Sequence, residues 1–203
     1  MDSFVEFQAI LQGLCALPRT GWTYYPMIHE VESVADHCLH TAQIALDVGY
    51  DLPQAERQRL VQMMLLHDLA ESLIGDHIPE ACGGLPISEK KEREAKAVKY
   101  ISDLLRNAGH EEFASTYQAL FDEYEAQKTD LSIMAHCLDK IDMLRMALEY
   151  ERRYHVNLDS FFVGVTVPSL QKTAHPAIHR AAQLLAQLKA RVDCFTPLEP
   201  RPD

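Results

Sequence analysis

Apolar residues recur at helical spacing along most of the chain, and turn-forming residues interrupt the pattern between the segments. Ser33 is a plausible N-cap for one of these segments, and Gly49 lies just after its last residue. The predicted helices cover residues 4–14, 34–48, 53–74, 89–108, 111–126, 131–150 and 176–192. The sequence therefore predicts an all-α fold.

The segments between these helices have the composition of loops. Residues 17–32 combine prolines, a glycine and several aromatic residues, and residues 75–86 contain three glycines and two prolines. Residues 161–167 are rich in β-branched side chains, so they predict either a short extended segment or a loop packed on the core. The Pro-rich tail, residues 195–203, is expected to be loose.

No repeat, low-complexity tract or interior linker divides the sequence. A chain of 203 residues can bury a core without disulfides or a structural metal, and it fits one domain. We expect a single domain over residues 1–203, with its core at about residues 30–155 and a C-terminal helix after it.

The helix predicted over residues 53–74 is amphipathic at first and then nearly all apolar, and it ends in a polar cluster. A helix places residues i and i+4 on one face, so His67 and Glu71 point the same way with Asp68 beside them. Three ionisable groups at the end of a buried helix are costly unless they are paired or bind a metal. Ordinary capping and hydrogen bonding of His67 and Asp68 is the alternative.

Two further segments carry side chains of the same chemistry. His37 lies near the start of the helix predicted over residues 34–48, and His40, one turn later, is an alternative to it. Asp139 lies in a mainly apolar helical stretch, where a buried acid needs a partner and a metal would supply one. Asp142 could be the ligand instead, or a structural acid, and a solvated helix face would explain either acid without a metal.

Charge and cysteine content limit the classes of partner. A net charge of -11 without a Lys/Arg-rich run argues against a protein that coats nucleic acid, although a bound cation could still hold a small phosphate. The five cysteines are scattered, which indicates free thiols in a reducing compartment. The sequence shows neither a signal peptide nor an apolar run of the ~20 residues that a membrane span needs. We therefore expect a cytoplasmic protein with no membrane partner.

The candidate ligands follow one another along the chain in the order His … His-Asp … Asp. With this order the chain resembles the HD-domain metal-dependent phosphohydrolases, and more narrowly their 5′-deoxynucleotidase branch. The resemblance covers about residues 4–192 and implies a helical bundle. The chain departs from the bacterial members in residues 17–32. The similar stretches are Arg19-Thr20-Gly21-Trp22, Glu32-Ser33-Val34-Ala35-Asp36-His37, His67-Asp68-Leu69-Ala70-Glu71, Gly75-Asp76, Tyr124-Glu125-Ala126-Gln127, Leu138-Asp139-Lys140, Leu148-Glu149-Tyr150-Glu151 and His175-Pro176.

The resemblance implies a role for individual residues. Glu71 and Asp76 match the acids that position or activate the attacking water, and Arg19 and Trp22 fall in the segment that contacts phosphate and nucleoside. His77 could also face the phosphate, although an exposed loop histidine is the plainer interpretation. The residues that match the metal ligands are His37, His67, Asp68 and Asp139.

The resemblance implies hydrolysis of a nucleoside 5′-monophosphate, favouring the 2′-deoxy form, and the two histidines and two aspartates are expected to hold one divalent ion as cofactor. The donor set suits Mn, Co, Fe, Ni or Zn, and the resemblance implies a homodimer. Three alternatives stay open: a triphosphate or another phosphorylated metabolite as substrate, a regulatory nucleotide binder without turnover, and a di-iron oxygenase. The last would need extra histidine ligands, for which His77, His110 and His136 are available.

Overall fold

The computed structural model describes residues 3–163, 165 and 176–191, and every helix and loop below belongs to these ranges. Within them the chain forms helices and no strand, apart from one isolated antiparallel bridge between Pro18 and Ser33. The all-α prediction is confirmed. The helices are α1 (Ser3–Ala16), α2 (Thr20–Thr23), α3 (Val34–Val48), α4 (Gln54–Leu66), α5 (Glu71–Ile74), α6 (Ile87–Asn107), α7 (Glu111–Ala126), α8 (Asp130–Tyr154), α9 (Asp159–Phe162) and α10 (Pro176–Lys189).

The core consists of two apolar clusters that share several helices. The first joins the later turns of α3 and most of α4 to the long helix α8 and to α10. The second joins α1 and α6 to the first turns of α3 and α7. Leu66, at the end of α4, packs against both clusters. The start of α3 and the end of α4 therefore lie where the two clusters meet.

A capping box fixes the beginning of α3. Ser33 Oγ accepts a hydrogen bond from the Asp36 backbone N–H at 3.1 Å, and Asp36 Oδ2 accepts one from the Ser33 N–H at 2.9 Å. Two N–H groups that the helix leaves unpaired are thereby satisfied. The helix ends at Val48, with Gly49 as its C-cap, so the bounds predicted for this segment are confirmed.

The single helix predicted over residues 53–74 is wrong at residues 67–70. After Leu66 the backbone tightens, because the N–H groups of Leu69 and Glu71 bond to carbonyls three residues earlier, at 3.1 and 2.9 Å. Such bonds wind the chain at about three residues per turn rather than 3.6. Gly75, at φ 85, then ends α5. Glu71 therefore begins a new short helix instead of continuing α4.

The remaining differences are at helix ends and in loops. The segment 17–32, predicted as a loop, contains α2, and α8 continues beyond Tyr150 to Tyr154. Of residues 161–167, Phe161 and Phe162 complete α9, whereas residues 164, 166 and 167 lie outside the described residues. Residue 192, His175 and the tail at 195–203 also lie outside them, and the single domain over residues 1–203 stays a prediction.

None of the helices in the described ranges combines the length and the apolar character needed to cross a membrane.

Candidate metal centre

The four side chains predicted as metal ligands lie together at the junction of the two apolar clusters. Helix α3 supplies His37, which is fully buried. The Nε2 atom of His37 is 3.3 Å from Asp139 Oδ1 on α8. His67 and Asp68 follow α4 directly, and His67 Nε2 is 3.2 Å from Asp68 Oδ2. The same Asp68 oxygen is 3.7 Å from His37 Nε2. The structure therefore brings two imidazole nitrogens and two carboxylates to one point.

Each histidine is held through Nδ1, which leaves Nε2 facing the cluster. His67 Nδ1 is 2.9 Å from the Met64 carbonyl oxygen, and a carbonyl can only accept, so Nδ1 carries the proton. His37 Nδ1 is 2.7 Å from Asp142 Oδ2. Burial raises the pKa of Asp142, but His37 and Arg145 outweigh burial and lower it, so this carboxylate is ionised and accepts the bond. In their neutral form both rings thus direct an Nε2 lone pair inward.

This arrangement fits a cation. Both Nε2 atoms are buried, and among the described residues neither makes a hydrogen bond of acceptable geometry. A lone pair that faces a carboxylate oxygen at 3.2–3.7 Å is repelled unless a positive charge lies between them. Imidazole nitrogen with carboxylate oxygen is the donor set of a borderline divalent metal. The residues present therefore match the cofactor that the motifs predict.

The electrostatics of the cluster agree with that fit. Burial lowers the pKa of His67, but the Asp68 carboxylate outweighs burial and raises the pKa well above that of a free imidazole. Burial raises the pKa of Asp68, but His67 and Arg19 outweigh burial and hold the pKa below its ordinary value. The cluster thus stabilises positive charge between imidazole and carboxylate.

Three groups of side chains in the described part of the chain could hold a metal ion. Two of them share His67: one adds His37 and Asp139, and the other adds Cys38 and Asp68. None of the three includes His77, His110 or His136, the histidines available for a di-iron centre. His136 instead donates from Nε2 to the Tyr124 carbonyl at 2.9 Å, and its ring stacks on that of Tyr124.

The third group consists of Glu32, His40 and Asp142, and the last two of these already contact a cationic side chain, that of Arg145. Arg145 NH2 is 2.8 Å from Asp142 Oδ1 and 2.9 Å from His40 Nδ1. Asp142 therefore lies behind His37 rather than among the ligand atoms, and His40 is turned towards Arg145. The alternatives left open for these two residues are thus not favoured by the geometry.

A cavity of about 300 Å³ opens beside the candidate ligands. Glu71 lines it and is 5% exposed, yet its buried Oε2 has no hydrogen-bond partner in the described ranges. Burial raises the pKa of Glu71, and the Asp68 and Asp76 carboxylates raise it further. Glu71 therefore takes up a proton more readily than an ordinary glutamate, at the wall of the cavity.

Asp76 and Arg19 face the same cavity from two loops that are tied together. Thr20 donates its backbone N–H to Asp76 Oδ2 at 2.7 Å and its hydroxyl to the Asp76 carbonyl at 2.7 Å. The neighbouring Arg19 places NH1 3.3 Å from Asp68 Oδ2 and 3.9 Å from Asp76 Oδ1. The guanidinium therefore lies among the acids, where an incoming anion would meet it.

The other two residues predicted to bind substrate occupy different environments. His77 lines the cavity, and its Nε2 is buried with no hydrogen-bond partner among the described residues, so it is not the exposed loop histidine of the plainer interpretation. Trp22 is only 2% exposed: its indole N–H donates to Glu32 Oε1 at 2.9 Å, and its ring stacks on Phe161. The predicted contact of Trp22 with a nucleoside is limited to the small part of the ring that reaches the cavity.

Several residues of the site were not predicted to act in it. Thr20 lies inside the similar stretch at residues 19–22, but nothing in the sequence pairs it with Asp76. Lys90 and Glu94 line the cavity from α6, whose sequence is typical of a surface helix. The spacing of charges at i and i+4 could have indicated the Lys90–Glu94 pair, but not that it faces inward.

A family model described as the HD domain matches residues 12–179. The 5′-deoxynucleotidase HDDC2 of Homo sapiens is 32% identical over 190 residues, which cover 93% of this chain and 85% of that protein. The 5′-deoxynucleotidase hdd1 of Schizosaccharomyces pombe is 31% identical over 157 residues, covering 77% of each. Among solved structures, protein PH0347 of Pyrococcus horikoshii OT3 has a TM-score of 0.68 at 26% identity and covers 92% of this chain and 98% of that one.

Proposed function

The chain belongs to the HD domain family, as its motifs predict, and from that membership we propose that it is a metal-dependent phosphomonoesterase. Its reaction is the conversion of a nucleoside 5′-monophosphate, in particular a 2′-deoxyribonucleotide, to nucleoside and phosphate. The 5′-deoxynucleotidases of Homo sapiens and Schizosaccharomyces pombe, to which it is similar, support this substrate class.

One observation carries the proposal. Two buried histidines, each fixed through Nδ1, direct Nε2 at two carboxylates, and the unpartnered oxygen of Glu71 lies at the adjoining cavity. A protein that only binds nucleotides has no need of such a proton acceptor beside the cation site. The arrangement therefore favours hydrolysis over regulatory binding.

We assign the metal to His37, His67, Asp68 and Asp139, as one divalent ion per chain. The two carboxylates and two imidazoles suit Mn, Co, Fe, Ni or Zn. A divalent cation there supplies a Lewis acid that lowers the pKa of a water molecule and offsets charge on the phosphoryl group.

The chain's own residues perform the remaining steps. Arg19 binds the phosphate through its guanidinium fork, with His77 Nε2 as a further contact. Glu71 accepts a proton at Oε2 from the water that attacks phosphorus, while Asp76, held by Thr20, orients that water. The P–O bond to the nucleoside then breaks, and the nucleoside oxygen leaves with the proton returned from Glu71.

The partner and the location belong to the same proposal. The net charge of -11 supports a small nucleotide rather than a nucleic-acid polymer, because a polyanion is repelled over the whole surface. Cys15, Cys38, Cys82 and Cys137 are free, which supports a reducing compartment such as the cytoplasm. We also propose a homodimer, as the family resemblance implies.

The test is phosphate release from deoxy- and ribonucleoside mono-, di- and triphosphates, with chelator and then with each divalent ion. We expect metal-dependent release from monophosphates, faster for the deoxy series. The Glu71→Gln variant should lose about a hundredfold or more of this activity, since general base catalysis contributes about 10²–10⁴-fold.

The outcomes separate the open alternatives. Phosphate release from triphosphates instead would show that the substrate is a nucleoside triphosphate. Oxygen-dependent turnover with two bound irons would indicate an oxygenase. No release from any monophosphate with any ion would refute the proposed function.

A further inference from the structure

The cavity beside the candidate metal centre is lined by more acids than cations. Its described cations are Arg19, Lys90 and Lys140. Arg19 lies 3.3 Å from Asp68, and Lys140 Nζ lies 3.0 Å from Asp139. Both of these cations therefore already pair with carboxylates of the proposed ligand set, whereas Lys90 does not.

Lys90 forms its ion pair outside the metal centre. Its Nζ is 3.3 Å from Glu94 Oε1, one turn further along α6. Burial lowers the pKa of Lys90, but Glu94, and after it Glu71 and Asp68, outweigh burial and raise the pKa above that of a free lysine. Lys90 is therefore fully charged at neutral pH and within electrostatic range of the two acids.

The Lys90–Glu94 pair is less exposed to solvent than the other ion pairs between side chains four residues apart near the start of α6. The pairs Glu89–Arg93 and Glu92–Lys96 lie on the outer side of the helix, where Lys96 is 74% and Glu92 is 67% exposed. In the Lys90–Glu94 pair the lysine is 35% and the glutamate 13% exposed, and both side chains line the cavity. This pair is the part of the charged face of α6 that turns inward.

We propose that Lys90 binds the phosphate group of the substrate from the α6 wall of the cavity, and that Glu94 positions its ammonium group. The inference rests on the proposed function and adds a substrate-binding residue to it. A phosphate dianion that enters a cavity lined by Asp68, Glu71 and Asp76 is repelled unless cations compensate. Lys90 can exchange its contact with Glu94 for the dianion without releasing any candidate metal ligand.

The experiment compares the metal-loaded wild type with Lys90→Met, Lys90→Arg and the outward-facing control Lys96→Met. Inorganic phosphate binding is measured by calorimetry, and KM and kcat are measured with a deoxynucleoside 5′-monophosphate. Bound metal per chain and the melting temperature are recorded for each variant. These two readouts detect a variant that has merely lost its structure.

For Lys90→Met we expect about tenfold weaker phosphate binding and about tenfold higher KM, because a charge-assisted hydrogen bond contributes to ground state and transition state alike. Its kcat and bound metal should stay close to those of the wild type. Lys90→Arg should recover most of the affinity, and Lys96→Met should match the wild type in every readout.

Two results would overturn the inference: equal phosphate affinity in Lys90→Met and wild type, or no measurable phosphate binding by the wild type. If equal affinity is found while monophosphates are still hydrolysed, the proposed function stands and Lys90 is not part of it. If the wild type hydrolyses no monophosphate but binds phosphate through Lys90, the anion site stands and the proposed function does not.

Discussion

The two histidines of the candidate metal centre are oriented by different acceptors. His67 donates to a neutral backbone carbonyl, whereas His37 donates to the buried, negatively charged carboxylate of Asp142. Asp142 is in turn held by Arg145, whose Nε and NH2 both donate to Oδ1. A carboxylate behind a ligating imidazole fixes its tautomer and makes its free nitrogen more basic. The metal affinity of the site should therefore depend on a residue that does not contact the metal.

We predict that Asp142→Asn weakens metal binding about tenfold or more, since loss of a partner behind a ligand typically costs 10–100-fold in affinity. The amide oxygen can still accept from His37 Nδ1–H, so the ring should stay in place while its basicity falls. Competition with a chromophoric chelator measures the effect. Asp47→Asn, at an exposed position of α3, serves as the matched control. Equal affinity in both variants and the wild type would show that Asp142 has only a structural role.

For individual residues, the sequence indicates which side chains are candidates for metal binding and catalysis, but not which of them form hydrogen bonds with one another. Burial on apolar helices indicates that His67, Asp68 and Asp139 need a partner. The resemblance to the HD-domain phosphohydrolases was needed to prefer His37 over His40 and Asp139 over Asp142. The bonds of Thr20 to Asp76 and of Asp142 to His37 span 56 and 105 residues. Such contacts depend on how the helices pack, which local periodicity does not encode.

Among the elements, α3 and the turn between α4 and α5 position the site. The helix α3 brings His37 one turn after its capped beginning, and the tight turn at residues 67–70 places His67, Asp68 and Glu71 around the cavity. The predicted bounds of α3 and α7 are confirmed, because their termini depend on local features such as the Ser33 cap. The turn was not predicted, because residues 67–70 contain neither glycine nor proline to mark the end of a helix.

We predict that Ser33→Ala lowers the free energy of unfolding by about 1 kcal/mol, the usual cost of removing an N-cap side chain. For a chain of this size that corresponds to a fall of about 2–4 °C in melting temperature, measurable by calorimetry. Ser115→Ala, on an exposed face of α7, is the control and should leave the melting temperature nearly unchanged. If Ser33→Ala and Ser115→Ala have the same melting temperature, the Ser33 cap does not stabilise α3.

In the whole molecule, the site lies where two apolar clusters share α3, α4 and α7. Residues from α3, α8 and the turn after α4 reach it, so ligands far apart in sequence meet only in the folded chain. A cation that binds the folded state alone stabilises that state by a free energy that grows with the logarithm of the ratio of ion concentration to dissociation constant. Folding and metal binding should therefore be coupled in this protein.

A reconstitution titration tests the proposed metal centre most directly. The chain is stripped with a chelator, then divalent ion is added in steps while bound metal and hydrolysis of a deoxynucleoside 5′-monophosphate are followed together. We predict that activity rises linearly and levels off at one ion per chain, and that Glu71→Gln binds the same ion with activity about a hundredfold or more below that of the wild type. Asp68→Ala should show neither binding nor activity. Full activity in the stripped wild type, or in Asp68→Ala, would contradict the proposed centre.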